Sequence, residues 1–208
     1  MVTPVTGDDV LEAAELVERT LEAHLGADWN AVVPALDFTV ASVVAHAARA
    51  MLWYSVNLWS GNARAAFEVR VPDDTPNDRL LTSVTAAARA LAAGIDAAPA
   101  DTRGFHLFGS PDPGGFAAMG CDELLIHGDD AARGLGVAFR ADRRLATAVL
   151  GRVFPWHELG PHDDPWEVLL WANGRRDLPG RDHQERWRWH SAPLSEWDGT
   201  KPAQSRTT

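Results

Sequence analysis

"TVASVVAHAARAMLWYSVNLWSG", Thr39 to Gly61, decides the class of fold. The run is apolar, free of proline and closed by glycine, so it reads as one long helix capped by Asp37 or Thr39. Upstream, Asp8 and Asp9 precede Val10, Ala14, Val17, Leu21 and Leu25 at steps of three and four. That spacing predicts an amphipathic helix whose acidic start suits its positive end and which stops near Gly26. Downstream, "FEVRVPDDTPNDRL" is acidic and broken by proline, a loop. Pro76, Asn77 and Asp78 then lead into an alanine-rich third helix, "RLLTSVTAAARALAAGI". After the Gly- and Pro-rich "APADTRGFHLFGSPDPGG", a fourth helix runs from Phe116 to Leu135 with Gly136 as its stop, and a shorter fifth covers "ADRRLATAVLGRVF". Four long helices with almost no strand pattern predict an all-α four-helix bundle over residues 1–150. Connections longer than the usual ~2–8 residues are expected to cross the bundle ends or to carry function.

Residues 151–208 differ in composition. Six of the nine tryptophans lie there: Trp156, Trp166, Trp171, Trp187, Trp189 and Trp197. "DPWEVLLWANGRR" predicts a short helix closed by Gly174, and "ERWRWH" alternates as a short strand would. Exposed tryptophan at that density would be sticky, so this extension is expected to pack back on the bundle.

A formal charge of -10 leaves no dominant basic face for nucleic acid. Locally, Arg175, Arg176, Arg181, Arg186 and Arg188 cluster. The single cysteine, Cys121, excludes an internal disulfide framework and suits a reducing cytoplasm; on the apolar stripe of its helix it is expected as a packed side chain. The N-terminus lacks the pattern of a signal peptide, and no window approaches ~18 uninterrupted apolar residues. A cytoplasmic protein without a membrane span is expected, and a homodimer is left open.

Within the fourth helix, "CDELLIHGDD" (Cys121 to Asp130) sets Glu123 and His127 one turn apart on one side. They flank the apolar stripe of Ala117, Cys121, Leu124, Ala131 and Leu135, with Asp130 on the same flank. Asp122, Asp129 and Arg133 are expected to face solvent. Such a pair is either a surface contact or two-thirds of a metal site. His46, in mid-helix within "VVAHAARA", is the candidate third ligand, or else a hydrogen-bonded core histidine. Two imidazoles and a carboxylate suit zinc with a position left open; ligand type alone also admits nickel, manganese or iron. "GSPDPGG" lacks the strand and lysine of a phosphate loop, and no serine elbow occurs.

Taken together, these stretches resemble a known family. "W…P…LDFTVASVVAHAARA", from Trp29 to Ala50, resembles the second-helix signature of the DinB-like bundles, and more narrowly the N-terminal domain of the mycothiol-dependent maleylpyruvate isomerase family. "DELLIHGDDAARGLG" resembles that family's fourth helix, and "WEVLLWANGRRDLPG" with "WRWHSAPLSEWDG" resembles the tail of its single-domain relatives. The resemblance implies a divalent metal near one bundle end, held by His46, Glu123 and His127, with mycothiol as cosubstrate. It implies a thiol transferase that attacks a small electrophile. The alternatives are a cis–trans isomerase of a maleylpyruvate-like substrate or a non-catalytic small-molecule-binding bundle. The resemblance also implies, for the isomerase proper, a C-terminal sterol-carrier-like domain; none is expected within these 208 residues, and generic thiol transfer is the expectation. An anion anchor is then expected from Arg175, Arg176 or Arg188. Asp130 is expected to orient a ligand or hold the amino sugar of the thiol, and Arg49, Trp53 and Asn57 to line the pocket. His106 and His157 lie in loops and are not favoured as site residues.

Overall fold

The computed structural model describes residues 3–66, 68–72 and 74–201. Six helices, one 3-10 turn (Leu194–Glu196) and no strand occur among the described residues. The acidic loop's Phe67 and Asp73, and residues 202–208 of the extension, lie outside them.

α1 (Gly7–Glu22) begins where Asp9 accepts hydrogen bonds from the Thr6 backbone N–H at 2.8 Å and hydroxyl at 3.0 Å, and it ends short of Gly26. α2 (Val40–Asn57) is capped by Thr39, whose hydroxyl accepts from the Ser42 N–H at 3.2 Å. It stops before Gly61 because Asn57 turns on itself: Nδ2 donates to the Trp53 carbonyl at 2.9 Å and Oδ1 accepts from the Ala65 N–H at 3.0 Å. α3 (Asn77–Ala97) is long and apolar enough to cross a bilayer by length and composition. Its buried face instead packs against α1 and α2.

α4 (Pro113–Leu135) starts three residues earlier than its pattern predicts, because Asp112 caps it by accepting from the Gly115 N–H at 2.8 Å and proline suits a first helical position. Gly136 closes it at φ 69°, a left-handed turn that glycine adopts without penalty. α1 and α2 each pack on both α3 and α4, so the four surround one core in the order α1, α3, α2, α4. Leu21, Met51, Leu91, Leu124 and Leu125 are wholly buried in it. Each contributes about 1.5–3 kcal/mol by leaving water.

α5 (Arg143–Val153) packs on α4, and α6 (Pro165–Ala172) packs on α5. "ERWRWH" forms no strand; it lies extended against the helices, with Trp189 buried in the core and Trp187 half-buried beside it. This extension covers the rear of α4. Asp122 and Asp129, expected in solvent, are therefore buried.

Candidate metal centre

α2 and α4 lie side by side, and their facing turns carry the chemistry. His127 Nε2 is 3.0 Å and His46 Nε2 is 3.3 Å from Glu123 Oε2. The two imidazole rings meet edge to face with centroids 4.8 Å apart. Tyr54, one turn and a half along α2 from Arg49, donates its hydroxyl to the other carboxylate oxygen, Glu123 Oε1, at 3.0 Å. Behind His127, Nδ1 pairs with Asp130 Oδ2 at 3.1 Å. Asp130 is 0 % exposed and is held by Arg133 and by Arg175 Nε at 3.1 Å.

The donor set fits a divalent cation. One ligand atom from each of His46, Glu123 and His127 lies within 4.8 Å of the others. A tetrahedral ion bonded at roughly 2.0–2.1 Å spaces its ligands about 3.3 Å apart, close to the two separations found here. The carboxylate behind His127 is the partner that orients a ligating imidazole. One contact competes: Arg49 Nη2 sits 2.9 Å from His46 Nδ1. Guanidinium only donates, so Nδ1 accepts and the ring's hydrogen sits on Nε2, the atom a cation would need.

Beside these residues opens a pocket of about 530 Å³ whose lining includes His46, Trp53, Tyr54, His106 and Glu123. Three arginines, Arg49, Arg64 and Arg70, also line it, against one further acid, Glu68. His106 is carried by a tight turn in which its backbone and that of Gly109 bond each other at 3.1 and 3.2 Å. Gly104 lets that loop settle on the end of α2, where a Cβ would meet the Asn57 carbonyl at 2.4 Å.

Residues 10–132, more than half of the chain, match the mycothiol maleylpyruvate isomerase N-terminal domain family. The chain belongs to that family. Comparison with curated proteins and with solved structures finds no match. Within this family member, the matched span takes in most of α1, all of α2 and α3 and most of α4, including the His46–Glu123–His127 cluster.

Several expected site residues lie elsewhere. Arg175 does not reach the pocket: it grips Asp130 and the Asn173 carbonyl at 3.1 Å. Arg176 pairs with Glu167 on the surface, and Arg188 Nε is enclosed away from the pocket. The arginines that line the pocket are Arg49, Arg64 and Arg70 instead, two of them from the loop after α2, where no helical period marks their direction. Asp130 is too buried to touch a ligand and acts through His127. Asn57 closes α2 and does not line the pocket, whereas Trp53 and Arg49 do. Cys121 is buried, and burial pushes its thiol well above the ordinary range. His157 packs 4.5 Å from the Trp171 ring, outside the pocket lining. Tyr54 was not singled out and His106 was not favoured, yet both line the pocket; an aromatic next to Trp53 and a loop histidine carry no periodic signal.

Proton affinities follow from these neighbours. Burial alone would raise Glu123, but hydrogen bonds and positive charge from His127 and His46 outweigh it and hold the carboxyl below its usual range. Burial would lower His127, yet Asp130 and Glu123 together push it up to about 9. Asp122, on the rear of α4, is pushed up to about 7 by burial and the nearby charge of Glu123, against hydrogen bonds from Asn173 and Trp189.

Proposed function

We propose that the chain is a metal-dependent transferase that activates mycothiol, or a similar small thiol, for attack on a small electrophile in a reducing cytoplasm. The observation that carries the reading is the convergence of His46, Glu123 and His127 beside a pocket that His46, Glu123 and three arginines line. When bound, a divalent ion, zinc by donor type, lowers the pKa of a coordinated thiol so that a thiolate exists at neutral pH.

The remaining work falls to the chain's own groups. His46, Glu123 and His127 would hold the ion, and Asp130 fixes the ring of His127 from behind. Tyr54 anchors Glu123 through Oε1 and leaves Oε2 facing the imidazoles. Trp53 and His106 form an aromatic wall that keeps water from the reacting atoms. Arg64 and Arg70 make no ion pair among the described residues and are available to attract a negative substrate. That feature favours, as a second reading, isomerisation of a maleylpyruvate-like dianion.

Elemental analysis of purified protein is expected to find about one divalent ion per chain, lost in His46→Ala with the helical circular dichroism retained. Metal-replete protein incubated with mycothiol and an electrophile is expected to yield the conjugate by mass. Absence of a stoichiometric metal, or of any conjugate, overturns the reading.

A further inference from the structure

His106 is 7 % exposed, packed 5.8 Å from the rings of Trp53 and Tyr54, 5.1 Å from Phe108 and 5.6 Å from Trp189. Its Nδ1 accepts a hydrogen bond from the Phe108 backbone N–H at 3.2 Å. A backbone N–H can only donate, so the neutral ring carries its hydrogen on Nε2. Burial lowers the pKa of His106 to about 4, which keeps the ring neutral around pH 7. Nε2 has no hydrogen-bond partner among the described residues. Among the described residues the enclosed side-chain atoms left unpaired are Asn173 Oδ1, Arg188 Nε and Ser191 Oγ. Nε2 is not one of them, and His106 opens on the pocket it lines. The donor stands one ring from the metal ligands, since Tyr54 touches both His106 and Glu123. Packing alone would be served as well by phenylalanine, which needs no partner.

We propose that His106 is the neutral donor that holds the carbonyl oxygen of the electrophile at this site and so favours carbonyl-activated electrophiles over alkyl halides. The proposal rests on the thiol-transfer reading. With an enone, the thiolate sulfur bonds to the β-carbon. The C=C π pair shifts through the conjugated carbonyl and lodges on oxygen. Nε2–H donates a hydrogen bond to that oxygen as its charge grows, and His106 keeps its proton. The enolate then takes a proton from water. A neutral donor of this kind stabilises developing negative charge without having first to lose a competing ion pair. With an allylic halide the C–Br bond breaks, bromide leaves with the electron pair, and no oxygen becomes charged.

The test compares metal-replete wild type, His106→Phe and His106→Gln with mycothiol and either methyl vinyl ketone or allyl bromide. His106→Phe is expected to lower kcat for the ketone about 100-fold more than it lowers kcat for allyl bromide, and His106→Gln to recover much of that difference. Equal loss with both electrophiles, or no loss with the ketone, overturns the proposal. Nitrogen-15 NMR of the histidines supplies a readout independent of turnover. His106 is expected to remain the Nε2–H tautomer down to about pH 5, one unit above its pKa of about 4, and its signal to move when unreactive butan-2-one is added. Should wild type turn over neither electrophile, the thiol-transfer reading fails while the NMR still decides on His106. An Nδ1–H tautomer, or a signal indifferent to the ketone, sinks it.

Discussion

Glu123 and Asp122 are neighbours on α4 with opposite surroundings. Glu123 faces α2 and the pocket, where two imidazoles and a phenol meet its oxygens, and its carboxyl stays ionised well below the usual range. Asp122 faces the extension, where it meets only neutral donors, Asn173 Nδ2 and Trp189 Nε1, each at 2.9 Å. Its pKa rises to about 7. Asp130 also faces the rear and is fully buried, yet its pKa falls, because His127, Arg175 and Arg133 surround it. Burial therefore does not decide ionisation on this helix; the charge of the partners does. The rear partners Asn173, Arg175 and Trp189 lie beyond residue 132, where the family match ends. The front of α4 carries the proposed chemistry, and the extension braces it from behind.

The severest way to break that brace is Asp130→Ala. It strands Arg175 and His127 in a buried setting and removes the group that orients His127. Loss of one partner from a buried ion cluster costs about 3 kcal/mol, a fall in Tm of about 6–12 °C for a chain of this size. Metal affinity is expected to drop about 10- to 100-fold as well. Glu123→Gln on the front should abolish metal binding with a far smaller shift in Tm. Thermal unfolding of metal-free protein, beside a zinc titration of each variant, separates the two faces. Equal Tm losses would erase the distinction between them.

Asp122 sharpens the comparison through pH. Its folded pKa of about 7 lies above the unfolded value of about 3.9, so between these the folded state binds the proton and the unfolded state does not. Its contribution to stability is then fully present below about pH 4 and is lost as pH rises toward 7. Asp122→Asn, which cannot ionise, is expected to remove that part of the slope when Tm is followed from pH 4 to 8 in chelator. The Asn173 side chain can turn its unpaired Oδ1 toward the new amide. An unchanged slope in the variant would show that Asp122 is ionised at the rear of α4 despite lacking a cationic partner.

The helical frame was legible because each long helix carries its own period, caps and stops. His46, Glu123 and His127 were legible for the same reason: spacing on a regular helix fixes direction, and the two histidines of α2 and α4 lie with Glu123 on the facing sides. What lay hidden was set by irregular backbone. The faces of Asp122 and Asp129 looked free because their cover, Asn173 to Trp189, has no period that announces where it packs. Arg64, Arg70 and His106 sit in loops outside any helical period, the last in the His106–Gly109 turn that follows Phe105, whose N–H donates to the Asn57 carbonyl. Arg175 was expected as an anion anchor in the pocket; it pairs instead with Asp130 at the rear of α4, held there by a segment without a helical period.

The smallest effect is expected at Arg49, and there the front of α4 is tested for a charge that works against it. Arg49 Nη2 donates to His46 Nδ1 at 2.9 Å, which fixes the hydrogen on Nε2 and withholds that atom's lone pair. Taking up a cation at Nε2 requires the hydrogen to move to Nδ1, where two donors would then face each other, so Arg49 must swing away. Arg49→Met keeps the apolar stem and removes the donor. Its zinc affinity, measured by competition with a coloured chelator, is expected to rise about threefold to tenfold, the worth of one ordinary hydrogen bond. A fall in affinity would mean that Arg49 supports the loaded site, and that the front tolerates a cation better than the rear only because its own arginine has already turned toward the pocket.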